Sequence, residues 1–419
     1  MIGYLTISGF LVAFCMVANR LSRTVLTAPM VFLGFGALVA EWNILPAEGT
    51  EEALHVVAEV ALIVLLFLDA AKIDQSALLK RRVWPMRMLF IGMPLAFLFG
   101  TALGLLALPG WPLALVAVAA AILIPTDAAL GQSVITNRDV PERPRRALTV
   151  ESGLNDGLAL PLVLLMAALA APGGMAPPEG WALFALKQIT LGPLAGLVIG
   201  GLGAVVLLKA KAAGTTSDTY EGIGALALAA SAYVAAILVG GNGFISAFAA
   251  GLGFGAMVKG RCSFVFEFTE GEGQLLSWGA FFLLGAVLVP EAVAHLTVET
   301  LAYILGSLFI VRPLAIWLSL IGSDAAPHTR LFFGWFGPRG LATALFALLV
   351  AEQLTHDAAE DILFLAVNAV WISAVLHGLT AAPGARLYAR RIKQIDPEAE
   401  MATMPEPFSD MPMKAGKKS

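Results

Sequence analysis

Apolar runs of about 17–25 residues recur along the whole of this sequence, and that is the length an α-helix needs to cross the hydrocarbon core of a bilayer. Composition points the same way. The 419 residues are 58% hydrophobic and only 13% charged, where an ordinary soluble domain is nearer a quarter charged. Mean hydropathy is +0.83. The net charge of −4 says little by itself; where the charges lie says more. Cys15 and Cys262 make neither a disulfide framework nor a metal spacing. The stretch Met1 to Ala18 has no basic residue ahead of it, so it reads as an uncleaved first span rather than a secretory signal.

The runs give thirteen expected spans, at roughly 2–18, 25–40, 53–70, 88–108, 112–135, 145–170, 182–208, 221–240, 243–257, 274–290, 298–322, 329–351 and 360–381. Cytoplasmic connections carry an excess of Lys and Arg. With the N-terminus outside and each span end set to within about three residues, 23 of the 26 basic residues fall on inside connections or in the C-terminal tail. The remaining three, Lys187, Arg312 and Arg339, fall inside expected spans. The expected fold is therefore an all-α membrane protein with the C-terminus inside. Residues 1–383 form the membrane domain, and residues 384–419 a polar, proline-bearing cytoplasmic tail expected to be disordered. A faint internal echo pairs Pro125 with Pro338 and Asn155 with Asn368 at one offset. An odd number of spans per offset would invert one copy relative to the other, the arrangement of secondary transporters whose sites lie at broken helices near the midplane.

Two acids then stand out, because charge at bilayer depth is costly and marks a functional-site candidate. Residues 151–157 read Glu-Ser-Gly-Leu-Asn-Asp-Gly and run straight into an apolar stretch. Asp156 lies ten residues beyond Arg146, about 15 Å deep at ~1.5 Å per residue. Ser152 and Asp156 share one helix face, and Glu151 and Asn155 the adjacent one. The second acid, Asp127, follows Pro125-Thr126. Proline breaks a helix and frees carbonyls, and non-helical backbone at this depth is tolerated only against protein or a cavity. Freed carbonyls, two carboxylates and a hydroxyl suit a hard monovalent cation. Gly337-Pro338-Arg339-Gly340 repeats the break but supplies a cation of its own, able to balance the partial charges of a helix end. Arg312 needs a buried counter-charge, for which Glu151 is the first candidate. Asp69, near the inner end of the third span, is a possible third acid. Bland readings stand beside these: Asp127 as a cap for a broken helix, Asp69 as an interfacial residue. The five histidines show no ligand spacing, and the glycines of 192–203 suit close helix packing.

These residues resemble the NhaP-type sodium/proton antiporters of the monovalent cation:proton antiporter-1 family. The resemblance covers nearly the whole chain. It is carried by Pro-Thr-Asp at 125–127, Glu-Ser-Gly-Leu-Asn-Asp-Gly at 151–157, Gly-Asn-Gly-Phe-Ile-Ser-Ala-Phe at 241–248, Arg312-Pro313 and Trp-Phe-Gly-Pro-Arg-Gly at 335–340. It implies a core bundle of spans 4–6 and 11–13 around crossed broken spans 5 and 12, the other spans serving as a scaffold, and a homodimer. It implies that Asp156 binds cation and proton in turn, helped by Asp127, Ser152 and the Thr126 carbonyl, and that Asn155 steadies a Glu151–Arg312 pair. The Asn155-Asp156 pair suggests electroneutral exchange. One departure is Asp69, where relatives often carry Glu. The expected substrates are Na⁺ (with Li⁺) and H⁺, with K⁺/H⁺ exchange on the same fold as the nearest alternative; no cofactor and no nucleic acid are implied. The expected location is a bacterial-type cytoplasmic (inner) membrane. A channel would show a carbonyl filter, and a membrane protease a zinc helix or a serine–histidine pair. The sequence offers neither.

Overall fold

A computed structural model describes residues 2–21, 24–44, 50–73, 83–127, 130–135, 137, 139–172, 181–258, 263–395 and 400. Cys262 and the basic residues Arg23, Lys80–Arg82, Arg138, Lys259 and Arg261 lie outside them, as does the tail from 401. All regular structure among the described residues is helical. In chain order the helices are α1 (Ile2–Leu21), α2 (Ala28–Glu41), α3 (Thr50–Ala71), α4 (Val83–Arg87), α5 (Met93–Ala107), α6 (Leu113–Ile122), α7 (Gln132–Ile135), α8 (Glu142–Ala170) and α9 (Trp181–Ala212). They continue with α10 (Asp218–Leu238), α11 (Gly243–Val258), α12 (Ser263–Val287), α13 (Val289–Ala294), α14 (Val298–Gly306), α15 (Arg312–Ser319), α16 (Pro327–Trp335), α17 (Leu341–Ala351) and α18 (His356–Ile395). Among the described residues, seven helices are long and apolar enough to cross a membrane, and six shorter ones are also apolar.

The chain divides into two compact units. Among the described residues, the first lies within 1–62, 83–185 and 274–402 and the second within 63–73 and 186–273. In the second unit, α9 and α11 pack along a glycine seam. A methyl group at Gly196 would strike the backbone of Ser246, and one at Gly200 that of Ala250. This is the small-residue contact that replaces a hydrophobic driving force inside lipid. Lys211 there reaches the buried Glu221 at 2.7 Å.

In the first unit, α6 and, apart from Thr343, α17 are apolar all round and buried nearly all round, as helices enclosed by other helices must be. Helix α4 runs into a π-helical turn, Met88–Gly92, before α5; α14 runs into another, Ser307–Val311, before α15. Both turns sit in the same local sequence: Leu89-Phe90-Ile91…Pro94-Leu95-Ala96 matches Leu308-Phe309-Ile310…Pro313-Leu314-Ala315. In each, a proline occupies the first turn of the following helix, where its missing N–H costs nothing. This repeat is a stronger internal echo than the two isolated matches at Pro125 and Asn155.

Helix α18 differs from the expected domain end at residue 383. It continues through Pro383 to Ile395. The reason is an apolar stripe, Ala381, Ala385, Tyr388 and Ile392, all buried in one core cluster with Phe332, Phe333 and Phe336. That spacing is one face of a helix, and it outweighs the polarity of the residues between. Glu400 is also buried, accepting hydrogen bonds from Ala326 N at 2.7 Å and Thr329 Oγ1 at 2.8 Å.

Candidate cation site at the paired helix breaks

The site grows from two helices that stop in the protein interior. Helix α6 ends at Ile122, and Pro125, Thr126 and Asp127 follow without helical structure. Helix α16 ends at Trp335, residues 336–340 are irregular, and α17 starts at Leu341. Each break leaves orphaned carbonyls behind it or orphaned amides ahead of it. The two breaks answer each other. The Asp127 amide donates to the Pro338 carbonyl at 2.9 Å. The Asp127 carboxylate accepts the Leu341 N–H at 3.0 Å, capping the positive N-terminus of α17. In return, Arg339 Nη1 donates to the Ile124 carbonyl at 3.0 Å and the Pro125 carbonyl at 3.4 Å, the negative end of α6. Glycine is required where the breaks come close. A Cβ on Gly340 would fall on the Asp127 carboxylate, and one on Gly337 would fall on the Arg312 guanidinium.

Helix α8 supplies the remaining groups. Asp156 lies near the middle of this 29-residue helix and is half-buried. Ser152 Oγ donates to the Thr126 carbonyl at 2.6 Å. Asn155 Nδ2 donates to Thr126 Oγ1 at 2.5 Å and to Glu151 Oε1 at 3.4 Å. Arg312 Nη1 and Nη2 both reach Glu151, at 3.2–3.3 Å, with side chains 6% and 2% exposed. Such a pair is strongly destabilising to break, because either charge would be left alone in a low-dielectric interior. Beside these groups is a cavity of ≈ 10 Å³ lined by Thr126, Asp127, Glu151, Ser152, Phe336 and Pro338, among others. That is room for about one water-sized particle.

Eight of the nine sequence-derived residues therefore lie on the paired breaks, on α8 or at the start of α15. The ninth, Asp69, lies half-buried on α3 in the second unit, and is not among the residues the first unit brings together. Asp127 does what its bland reading held, capping a helix, and it also lines the cavity. Sequence reasoning missed Ser373, whose Oγ accepts the Arg339 N–H at 2.7 Å, and it missed the cluster around Asp324. There Arg143 lies 3.7 Å over the Trp84 ring and pairs with Asp324 at 2.8 Å, while Trp84 Nε1 donates to Asp324 at 2.6 Å. Burial would raise the Asp324 pKa, but the hydrogen bonds from Arg143 and Trp84 and the charge of Arg143 together hold it below the usual carboxylate value.

Known proteins resemble this chain. The chain is 29% identical over 271 residues to the K⁺/H⁺ antiporter NhaP2 of Shewanella oneidensis, an overlap of 64% of this chain and 46% of that protein; it thus spans about half the length of such relatives. Over 95 residues it is 30% identical to the Na⁺/H⁺ antiporter 1 of Methanocaldococcus jannaschii. Its fold is that of the sodium proton antiporter MjNhaP1 from the same organism, with TM-score 0.72 at 20% identity, covering 90% of this chain and 98% of that one. The profile of the sodium/hydrogen exchanger family, transmembrane region, matches residues 8–386, and the chain belongs to that family.

Proposed function

We propose that this chain exchanges a monovalent cation for a proton across a bilayer that it spans thirteen times, N-terminus outside, by alternating access. The observation that carries the reading is the pair of breaks whose ends are neutralised by Asp127 and Arg339, set against Ser152 on the helix that holds Asp156. A cation and a proton each cancel the charge of a carboxylate, and a bare carboxylate cannot cheaply cross a low-dielectric region. If Asp156 moves only when neutralised by one or the other, exchange is obligatory. Asp127, Ser152 and the Thr126 carbonyl complete the cation's shell, while Glu151, Arg312 and Asn155 hold the scaffold. Asp69 remains a candidate third acid. Asn155 carries no titratable proton and Glu151 is paired, so one cation for one proton is the expected stoichiometry.

The cation is read as Na⁺, with Li⁺. The NhaP2 name among the relatives favours K⁺ as a second reading. A homodimer in a bacterial-type inner membrane is the proposed setting. Purified protein in proteoliposomes should collapse an imposed pH gradient on addition of Na⁺ or Li⁺ more than K⁺ or Rb⁺. Greater collapse by K⁺ moves the assignment to the second reading; no response to any cation ends it. With the potential clamped by potassium and valinomycin, a rate insensitive to the clamp supports one-for-one exchange, and a clear acceleration rejects it.

A further inference from the structure

His377 is a buried, titratable side chain that the exchange reading leaves idle. It lies on α18, 2% exposed, and its ring stacks on Trp335 with centroids 4.9 Å apart. Its Nε2 is 2.9 Å from the Trp335 carbonyl. Trp335 is the last residue of α16, and the same carbonyl accepts the Gly337 N–H at 2.9 Å. A carbonyl can only accept, so Nε2 is the donor to Trp335. Nδ1 lies 2.9 Å from the Ser373 carbonyl and 3.1 Å from Ser373 Oγ, which anchors the ring to its own helix. The Ser373 hydroxyl oxygen also accepts the Arg339 N–H at 2.7 Å.

The relay spans the second break. Its two ends are the last carbonyl before residues 336–338 and the first amide after them. Both are tied to one turn of α18, since Ser373 and His377 are four residues apart on one face. The amide belongs to Arg339, whose guanidinium holds the Ile124 and Pro125 carbonyls. The next carbonyl in that chain, Thr126, faces Ser152 and lines the cavity.

We propose that His377 and Ser373 are positioning residues for the transported cation: they fix the spacing across the second break and, through Arg339, set the direction of the Thr126 carbonyl. Neither touches the ion. The inference rests on the proposed exchange, and its signature is a change in selectivity, because discrimination among Li⁺, Na⁺ and K⁺ depends on sub-ångström placement of oxygens.

The test is cation-driven proton flux in proteoliposomes of the full chain, measured for Li⁺, Na⁺ and K⁺ in wild type, His377→Phe, His377→Gln and Ser373→Ala. Phe keeps the stack on Trp335 and loses both ring nitrogens. Gln keeps an amide donor for the Trp335 carbonyl. His377→Phe and Ser373→Ala should raise the apparent KM roughly 3- to 10-fold, the scale of one net hydrogen bond, and should alter the ratios of KM between cations. His377→Gln should return toward wild type. If His377→Phe does not fold, Ser373→Ala carries the test alone, since it deletes only a hydroxyl. Unchanged KM ratios in both Ser373→Ala and any folded His377 variant, with only a lowered Tm, would overturn the proposal and leave the residues as packing. An inactive wild type would instead overturn the exchange reading beneath it.

Discussion

The break at 123–127 and the break at 336–340 pose one backbone problem and receive opposite answers. At the first, carbonyls at the end of α6 need positive charge, and Arg339 brings it from the second break. At the second, amides at the start of α17 need negative charge, and Asp127 brings it from the first. Each break is thus stabilised by the other's side chain, and neither is a complete structure alone. The surroundings differ as well. Arg339 is 2% exposed, whereas Asp127 is half-buried and borders the cavity. The cationic half is sealed into protein; the anionic half stays within reach of a small ion. On the proposed reading the arginine belongs to the frame and the aspartate to both frame and site.

The largest expected effect comes from the other buried cation beside the breaks. Arg312→Ala strands Glu151 and should cost about 3–5 kcal/mol, read as a fall in Tm in detergent. The double change Glu151→Gln with Arg312→Gln should recover part of that loss; a double variant as unstable as the summed singles would show that the two are not coupled. Next come the breaks themselves. Arg339→Gln leaves buried carbonyls short of a donor and should cost about 1–3 kcal/mol. Asp127→Asn keeps an oxygen for the Leu341 N–H, so it should lower stability by less than about 1 kcal/mol while weakening cation binding. The reverse order would erase the proposed division between frame and site.

The smallest effect lies at Asp324, away from both breaks. The folded-state pKa of Asp324 is lowered, so its contribution to stability is present above the unfolded value of 3.8 and is lost as pH falls through the folded value. The Tm difference between wild type and Asp324→Asn should be flat at neutral pH and close only as the medium is acidified below that point. A difference that grows on acidification would contradict the assigned partners.

The parts of this site that depend on spacing within one helix were legible in the sequence. Ser152 and Asp156, and Glu151 and Asn155, follow from a four-residue step, and Arg312 demanded an acid because it lay in an apolar run. What the sequence hid was pairing through space. Nothing local says that the Arg339 side chain serves Ile124, or that an ordinary serine and histidine on α18 close the gap around Pro338. The Leu-Phe-Ile…Pro-Leu-Ala repeat was visible in the letters, yet a π-turn has no composition of its own, so its structural meaning was not. The continuation of α18 through Pro383 to Ile395 is hard to read because polar residues and a proline interrupt the stripe Ala381, Ala385, Tyr388, Ile392, which is buried in the Phe332–Phe336 cluster.

The central claim is that Asp156 is the group that cation and proton occupy in turn. Asp156→Asn removes the charge and keeps the shape of the side chain. Reconstituted in proteoliposomes with an imposed pH gradient, the folded variant should show no cation-dependent proton flux above that of empty vesicles, while wild type collapses the gradient. Coupled flux retained by a correctly folded Asp156→Asn protein would contradict the account.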